Sequence, residues 1–389
     1  MYGIRDYVAW RGDLTFEQSP LCVVDFICFS QVVVLDLVAP KKFSVKFDKM
    51  FQLYANSGRA VTPNGIIVPF EINVLFKEMA KSKRFSSVKV TDYVYEADKV
   101  KQTQFSAMVL DVPTAKIVCF SATDDTIVGW KENFNLAENK PTYAQISSVE
   151  FLRKSLRATS KPVYVVGHSK GGNLAMYSFL NCDDKTAKKV TACYSFDGPG
   201  LDKKIFDTQR ARERLSRVTS VMPAYSVIGR MFSHEEEILV VNSAKNGLYQ
   251  HDCFSWEVLG SDLVLRKEGF LKESDDIDRR VKDLLSKTDE KHRASMFKSF
   301  FDFLYGGGRY FTLSELPTRR TELLYWYAGM DKEDKKVLNF VLGQLALEPA
   351  VRKMFIQTLK DMRVFKTQAE KLQTDFKNDM QTVSFEKNN

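Results

Sequence analysis

The sequence feature that most constrains this chain is the segment GHSKG at residues 167–171, which fits the pattern G-x-S-x-G. A β-branched run at residues 162–166 precedes it, and a helix-forming stretch at residues 173–180 follows it. A strand, a sharp turn and a helix are therefore predicted in direct succession, with Ser169 at the turn. Glycine fits two positions before and after the serine, because bulkier side chains would collide with the adjoining strand and helix.

This succession is typical of a nucleophile elbow, the turn that lifts a serine Oγ off the edge of a sheet. The start of the following helix offers backbone N–H groups to a developing oxyanion. A structural or phosphate-cradling Gly-Ser turn is the alternative, but the Walker pattern G-x-x-x-x-G-K-[ST] is absent from the sequence. Ser169 is therefore a candidate nucleophile.

The segments around the elbow alternate between strand and helix patterns. Runs rich in Val, Tyr and Phe predict strands at residues 88–96, 104–110, 116–120, 162–166, 190–196, 217–228 and 237–241. Helical patterns cover residues 69–82 and 143–157, after a loop and a buried helix that end near residue 39. Such alternation around an elbow predicts an α/β-hydrolase fold, with a mostly parallel sheet and helices on both faces.

Composition places the chain among ordinary globular proteins. Its 389 residues provide for a full core and an appended element, and 44% of them are hydrophobic. The net charge of +8 comes from 57 basic and 49 acidic residues that are interspersed, which argues against nucleic-acid binding. The apolar stretch at residues 21–37 contains Asp25 and Asp36, so it predicts a core helix rather than a membrane span.

The six cysteines show no C-x-x-C spacing, and most of them stand in apolar patterns. We expect them to be buried small hydrophobes in a reducing compartment, without a zinc site. The first residues lack the apolar core of a signal peptide. A cytoplasmic protein that needs no metal and no cofactor is therefore expected.

Beyond residue 269 the chain becomes dense in Lys, Glu and Asp. Helical periodicity covers residues 271–304 and 332–376, and three glycines at residues 306–308 separate the two regions. We therefore predict an α/β-hydrolase domain over residues 1–268 and a helical C-terminal extension over residues 269–389.

Within this extension, Pro349 is expected to divide the second helical region. The stretch at residues 349–364 is amphipathic and carries four basic residues. Packing against its own domain is the simplest role for such a helix. Peripheral contact with an anionic membrane and a homodimer through the C-terminal helices are the alternatives.

A serine nucleophile needs an imidazole base, and the chain has four histidines. His251 follows the last predicted strand by a loop, which is where this fold delivers its base, so it is the preferred candidate. His234, in a charged turn before a strand, is the alternative. His168 lies inside the elbow ahead of the serine, and His292 lies in a charged helix.

The preferred acid is Asp197, which ends the strand after the elbow helix and would therefore face the site. A purely local role as an Asx-turn residue is the open alternative. Asp252 ranks lower because it adjoins His251, and neighbouring side chains seldom reach each other's ring. Residues 221–226, where many hydrolases place the acid, contain no carboxylate.

The oxyanion hole should combine the backbone N–H groups of Lys170 and Thr123, the latter in the loop that follows an earlier strand. We expect the side chain of Lys170 to be solvated, with attraction of an anionic substrate as the alternative. The adjacent Asp124 and Asp125 are expected to cap a helix or to occupy a solvated turn rather than to bind a metal.

On these segments the chain resembles a bacterial family of lipase-like α/β-hydrolases, the Mbeg-like group, which is similar to class 3 lipases. The resemblance spans about residues 7–259. It rests on YVAWRGDLTF at 7–16, WKE at 130–132, GHSKGGNLA at 167–175, FDGPG at 196–200 and QHDCFSW at 250–256. It implies a lipase-like sheet with Ser169 as nucleophile and His251 as base.

The chain departs from class 3 lipases at three places. Those enzymes carry F-R-G-T or F-R-G-S at the oxyanion loop, whereas this chain has FSAT at residues 120–123. Lys170 replaces a usual Leu, and the class 3 acid position has no carboxylate. Pancreatic-type lipases carry their acid one strand earlier, which favours Asp197.

The resemblance implies a serine hydrolase of the lipase or esterase type. It would cleave a carboxylic ester, small or lipid, through an acyl-enzyme. The altered oxyanion loop motivates the alternative, a catalytically impaired α/β-hydrolase scaffold that acts as a protein- or membrane-binding module.

Overall fold

The computed structural model describes residues 1–39, 44–65, 67–136, 140–157, 159–276, 279, 290–330, 332, 334 and 335. Residues Met1–Ser314 form one compact unit, and Glu315–Asn389 belong to a second. The first unit therefore reaches beyond the expected boundary at residue 268. Pro349, the amphipathic stretch at 349–364 and most of the helical region predicted over 332–376 lie outside the described residues.

The first unit is built on a sheet whose eight described strands lie in chain order from one edge to the other. The strands are β1 (Val45–Lys46), β2 (Lys89–Asp98), β3 (Thr103–Asp111), β4 (Lys116–Phe120), β5 (Val163–His168), β6 (Val190–Phe196), β7 (Val218–Pro223) and β8 (Glu237–Val241). Strands β1 to β4 pair antiparallel, and β4 to β8 pair parallel. The predicted mostly parallel sheet is confirmed, and the serine turn lies in its parallel half.

Helices connect and cover these strands. They are α1 (Ile4–Arg11), α2 (Val23–Val32), α3 (Phe47–Asn56), α4 (Glu71–Lys81), α5 (Ile127–Asn135), α6 (Tyr143–Ser155), α7 (Lys170–Asn181), α8 (Asp184–Ala187), α9 (Lys203–Phe206), α10 (Gln209–Arg214) and α11 (Glu290–Tyr305). The second unit contains α12 (Arg320–Gly329). Short 3₁₀ helices cover Gly247–His251 and Cys253–Ser255, and a small hairpin joins β9 (Val258–Leu259) to β10 (Asp262–Leu263). Within the described ranges, no helix combines the length and the apolar character needed to cross a bilayer.

The alternation of side chains along the central strands divides the core into two layers. On β5, Tyr164 and Val166 pack into one hydrophobic cluster, and Val163 and Val165 pack into the other. Buried residues of α1 to α4 complete the first cluster, and those of α6, α7 and α10 complete the second. Because successive side chains of a strand point to opposite faces, both faces must be covered, and the predicted helices on both faces are confirmed.

The sequence expectations missed several elements near the N-terminus and after β4. Helix α1 stands where a loop was expected, and β1, α3 and α5 were not predicted. Helix α3 does show a signal, because its buried residues Phe47, Met50 and Tyr54 recur at helical spacing. Helix α2 agrees with the predicted core helix, and every residue from Val24 to its end is buried.

Strand register brings the ends of β4 to β7 to one edge of the sheet. Gly167 on β5 lies opposite Phe120 on β4 and Ser195 on β6, and Phe196 lies opposite Val221 on β7. The residues that immediately follow these strands therefore meet at the carboxyl edge, where parallel sheets place their sites.

Five of the six cysteines are buried, as expected, whereas Cys22 is half-buried. All six are free thiols. Burial raises the pKa of Cys119 and Cys193 well above the ordinary thiol value, so both are inert neutral side chains at pH 7.

Candidate active site

Ser169 occupies the turn between β5 and α7 in a strained backbone conformation. Its φ of 55° and ψ of −125° are unfavourable for a residue with a side chain. A Cβ at Gly167 would overlap the carbonyl of Gly171, and a Cβ at Gly171 would overlap the carbonyl of Phe120. Strand β5, helix α7 and the end of β4 therefore approach so closely that the turn needs glycine on both sides of the serine. Helix α7 begins at Lys170, directly after the serine.

His251 and Asp197 form a hydrogen-bonded pair beside this turn. The Nδ1–H of His251 donates to Oδ2 of Asp197 at 2.6 Å. Asp197 is fully buried and has a φ of 46° directly after β6, whereas the imidazole of His251 is 24% exposed. A buried carboxylate on Nδ1 fixes the tautomer and leaves Nε2 as the basic nitrogen.

The second oxygen of Asp197 is also engaged. Ser226, in the connection after β7, donates its Oγ to Oδ1 of Asp197 at 2.5 Å. A Cβ at Gly229 would overlap that same oxygen, so this stretch of chain is closely packed on the carboxylate. Sequence reasoning missed Ser226. Its only signal was its place in the segment 221–226, where many hydrolases have an acid.

His168 connects His251 to the serine turn. Its ring packs on that of His251 with centroids 4.7 Å apart, and its Nε2 donates to the carbonyl oxygen of His251 at 2.9 Å. Burial, followed by repulsion from His251, lowers the pKa of His168 to about 4. His168 is therefore neutral at pH 7, and His251 lies against the residue that precedes Ser169.

Two further contacts hold the 3₁₀ helix that carries the base. The indole N–H of Trp256 donates to the carbonyl oxygen of Gln250 at 2.8 Å, and Gln250 Oε1 accepts from the backbone N–H of Tyr225 at 2.8 Å. Trp256 is fully buried. These contacts tie the residue next to His251 to the connection after β7, which also supplies Ser226.

The alternative acid and bases make other contacts. Asp252 accepts from the ammonium of Lys245 at 2.5 Å and from the backbone N–H of Phe254 at 3.0 Å, so it caps the following turn. His234 Nδ1 lies 2.7 Å from Oε1 of Glu236. The side chain of His292 lies outside the description. Of the candidate pairs, the structure brings together His251 and Asp197.

The loop after β4 lies against the elbow through Phe120 and Gly171. Thr123 in this loop is half-buried, and its Oγ1 donates to Oδ1 of Asn133 on α5 at 3.0 Å. The start of the loop is therefore packed on the elbow, and Thr123 is attached to the helix that follows the loop.

The adjacent carboxylates of this loop have structural partners. Asp124 accepts from the backbone N–H of Thr126 at 2.9 Å and from the hydroxyl of Tyr95 at 2.7 Å. Asp125 accepts from the backbone N–H of Ser314 at 3.1 Å. Among the residues described, no group of three His, Cys, Asp or Glu side chains is placed to hold a metal ion.

The side chain of Lys170 corrects one expectation. It is not solvated but 2% exposed, and its ammonium donates to the carbonyl oxygen of Gln104 at 2.6 Å. Its charge is paired with Glu132 at 3.3 Å. Because the ammonium points into the core, it does not serve to attract an anionic substrate.

A family model described as Mbeg1-like matches residues 79–302, which is more than half of the chain. A comparison with curated proteins found no match. Several solved structures are similar to this chain, among them the following three.

The native Rhizomucor miehei lipase propeptide complex is 11% identical over 56% of this chain and 67% of that chain, with a TM-score of 0.33. A mutant form of MDLA from Penicillium cyclopium is 11% identical over 62% of this chain and 84% of that chain, with a TM-score of 0.35. Lip2 lipase from Yarrowia lipolytica is 12% identical over 53% of this chain and 82% of that chain, with a TM-score of 0.29.

The sheet and the strained serine turn between its fifth strand and the next helix give the chain an α/β-hydrolase fold. The family match covers the turn and the strands on both sides of it. The chain therefore belongs to the Mbeg1-like family.

Proposed function

We propose that this protein is a serine hydrolase that cleaves a carboxylic ester through an acyl-enzyme. The observation that carries the proposal is the bond between His251 Nδ1 and the buried carboxylate of Asp197, with the imidazole packed on the residue before Ser169. A hydroxyl on a strained turn, an imidazole and an orienting carboxylate are the three groups that nucleophilic acyl transfer requires.

In the proposed reaction, Ser169 Oγ attacks the ester carbonyl while His251 Nε2 takes the hydroxyl proton. Collapse of the tetrahedral intermediate breaks the bond to the alcohol, which receives that proton from the imidazolium. Water then attacks the acyl-enzyme by the same path, and the acid is released. Asp197 stays ionised throughout, holds the imidazole and stabilises its charged form.

The oxyanion of the tetrahedral intermediate needs N–H donors on the far side of the carbonyl. Lys170, at the start of α7, and Thr123, in the loop that lies against Gly171, are the proposed donors. Donors fixed before the reaction stabilise developing charge without reorganisation, and one such donor contributes roughly 10²–10³-fold in rate. The substrate in this proposal is a small-molecule or lipid ester, and no metal or cofactor takes part.

A fluorophosphonate probe tests the proposal because it phosphonylates only an activated serine. We expect wild-type protein to be labelled, and labelling to disappear in Ser169→Ala and in His251→Ala. The matched control is His234→Ala, which removes an imidazole paired with Glu236 and should leave labelling in place. Absence of labelling in wild-type protein with a native circular dichroism spectrum would refute the hydrolase proposal.

One observation supports a second candidate function. Ala122 stands in the oxyanion loop where class 3 lipases have glycine, and Ser121 stands in place of their arginine. A scaffold that has lost activity and binds a protein or a membrane surface would show this loop with an intact fold. A folded but unlabelled wild-type protein is the result that favours it.

The free thiols support one further part of the proposal. The six cysteines form no disulfide, which is the usual state in a reducing compartment. We therefore propose the cytoplasm as the place of action.

A further inference from the structure

Two segments that characterise the sequence, WKE at 130–132 and GHSKGG at 167–172, meet in a buried ion pair that the proposed mechanism does not use. The ammonium of Lys170 lies 3.3 Å from Oε2 of Glu132, with side chains 2% and 0% exposed. Buried ion pairs are seldom a source of net stability, because desolvation offsets the Coulomb attraction. Net stability therefore does not explain this pair, whereas its position in the fold offers an explanation.

Hydrogen bonds satisfy both charged groups. Lys170 Nζ also donates to the backbone oxygen and the side-chain oxygen of Gln104. Glu132 Oε1 accepts from the hydroxyl of Thr103 at 2.9 Å and from the backbone N–H of Ala144 at 3.0 Å. Glu132 Oε2 accepts from the backbone N–H of Gln104 at 3.1 Å. The pair is thus a fixed junction between α5, α6, β3 and α7.

This junction joins the two elements that carry the proposed oxyanion donors. Lys170 follows the nucleophile directly and supplies one backbone N–H. Glu132 lies on α5, the helix that begins after the loop carrying Thr123. The residue next to Glu132, Asn133, accepts the hydrogen bond of Thr123 Oγ1 at 3.0 Å. A short path of contacts therefore runs from the ion pair to both donors.

We propose that Lys170 and Glu132 are positioning residues, whose ion pair holds α5 and its loop against the elbow so that the N–H groups of Lys170 and Thr123 converge on one oxyanion. The inference rests on the proposed hydrolase function. Donors must lie about 2.7–3.1 Å from the oxyanion. A shift of α5 by a fraction of that distance would therefore weaken the hydrogen bond from Thr123 to the oxyanion. A weakened donor lowers kcat rather than raising KM, because the oxyanion exists only in the transition state and the intermediate.

The test removes both charges together, since removing one partner alone would leave an unpaired buried charge, which strongly destabilises a fold. The variant is Lys170→Met with Glu132→Gln, which keeps the size of both side chains. We expect kcat for p-nitrophenyl butyrate and the rate of fluorophosphonate labelling to fall roughly 10²-fold, as for the loss of one oxyanion donor. KM should change less than about threefold, because ground-state binding does not use the oxyanion donors.

The matched control is a second buried ion pair in the N-terminal layer. Arg84 and Asp25 lie 2.5 Å apart, and both side chains are fully buried. Arg84→Met with Asp25→Asn changes stability in the same way but is remote from the proposed donors. We expect its kcat to stay within about threefold of the wild type once folding is verified by circular dichroism, since no ground-state or transition-state contact is lost.

Hydrogen exchange of the amides at residues 121–126 provides a readout that does not depend on activity. Exchange there should accelerate in the double variant and not in the control. If the double variant fails to fold, Lys170→Gln with Glu132→Gln is the second variant, because two amides also remove the ion pair and leave no unpaired charge in the core. Wild-type kcat with unchanged exchange in a folded variant would overturn the inference. A wild-type protein that the probe does not label would instead refute the hydrolase function, and the exchange experiment would still decide whether the pair positions the loop.

Discussion

At the scale of the residue, the most informative group is the carboxylate of Asp197, because each of its oxygens is bonded to a different element. Oδ2 accepts from His251, and Oδ1 accepts from Ser226. The carboxylate is fully buried, so these bonds determine its orientation. The orientation of the imidazole then follows from that of the carboxylate.

Asp197→Asn should lower kcat/KM for p-nitrophenyl acetate by roughly 10³–10⁴-fold, because an amide at this place selects the wrong tautomer of His251. Asp252→Asn should stay within about threefold of the wild type, since Asp252 only caps a turn and pairs with Lys245. The reverse order of the two effects would move the acid to Asp252.

Ser226→Ala should lower kcat about tenfold and leave KM unchanged. The hydroxyl is one of two groups that orient a buried carboxylate, and a hydrogen bond to a charged group contributes about 1.5–3 kcal/mol. Steady-state kinetics together with thermal unfolding measure the effect. An unchanged kcat in a variant of lowered stability would show that Ser226 serves the fold alone.

His168 gives the protein a dependence on pH that is separate from catalysis. Its pKa is lowered from 6.5 to about 4, so between these values the unfolded chain binds a proton that the folded chain rejects. Stability is therefore present above pH 6.5 and is lost as the pH falls towards 4. Urea unfolding of the wild type and of His168→Phe at pH 7.5 and pH 5 should show the wild type losing about 2 kcal/mol more than the variant on acidification. If acidification lowers the free energy of unfolding equally in both proteins, His168 is not the group that causes this pH dependence.

At the scale of the element, the close approach of β4, β5 and α7 determines where Ser169 lies. A methyl group at Gly171 would meet the carbonyl of Phe120, the residue before the oxyanion loop. Backbone atoms at that distance cannot move independently, so the serine turn and the end of β4 shift together or not at all.

Gly171→Ala should therefore abolish fluorophosphonate labelling and destabilise the protein by at least about 3 kcal/mol, as overpacking against backbone does. The matched control is Gly329→Ala at the end of α12, where a Cβ meets open space. That substitution should leave labelling and the midpoint of unfolding unchanged. Native labelling in Gly171→Ala would show that the contact at the elbow is not needed.

The positions of the strands and helices explain how much of the candidate site could be predicted from the sequence. Ser169, His251 and Asp197 could be named because strand ends and chain order place them at one edge of a parallel sheet. Ser226 could not be named, because no local pattern marks a hydroxyl that meets a carboxylate from the neighbouring strand. The burial of Lys170 was missed because its partner Glu132 lies on α5, a helix that was not predicted.

At the scale of the whole molecule, the first unit includes more of the C-terminal chain than composition suggested. Within it, α11 buries Phe301 and Leu304, and Phe301 contacts Phe134 of α5 with ring centroids 5.3 Å apart. The backbone at residues 311–313 then pairs with that of residues 125–127, which follow the oxyanion loop. The sequence after residue 269 is dense in charged residues, and for this reason the buried apolar side of α11 was not predicted.

Truncated chains distinguish the domain boundary predicted at residue 268 from the end of the compact unit at Ser314. A chain that ends at Ser314 should fold and be labelled by the fluorophosphonate probe, because it retains the whole compact unit. A chain that ends at residue 268 loses buried phenylalanine and leucine side chains, each contributing about 1.5–3 kcal/mol, and should be insoluble or unfolded. Solubility, circular dichroism and labelling of both chains measure this. A stable, labelled chain ending at residue 268 would support the domain boundary predicted from the sequence.

The bond between Asp197 and Ser226 has one more consequence. It joins the segments that follow two neighbouring strands by a carboxylate on one side and a hydroxyl on the other. In the double variant Asp197→Ser with Ser226→Asp, the negative charge would move to the segment after β7. The site would still contain one carboxylate and one hydroxyl. Each single exchange would instead leave two carboxylates or none beside His251, so only the double exchange keeps one charge at this place.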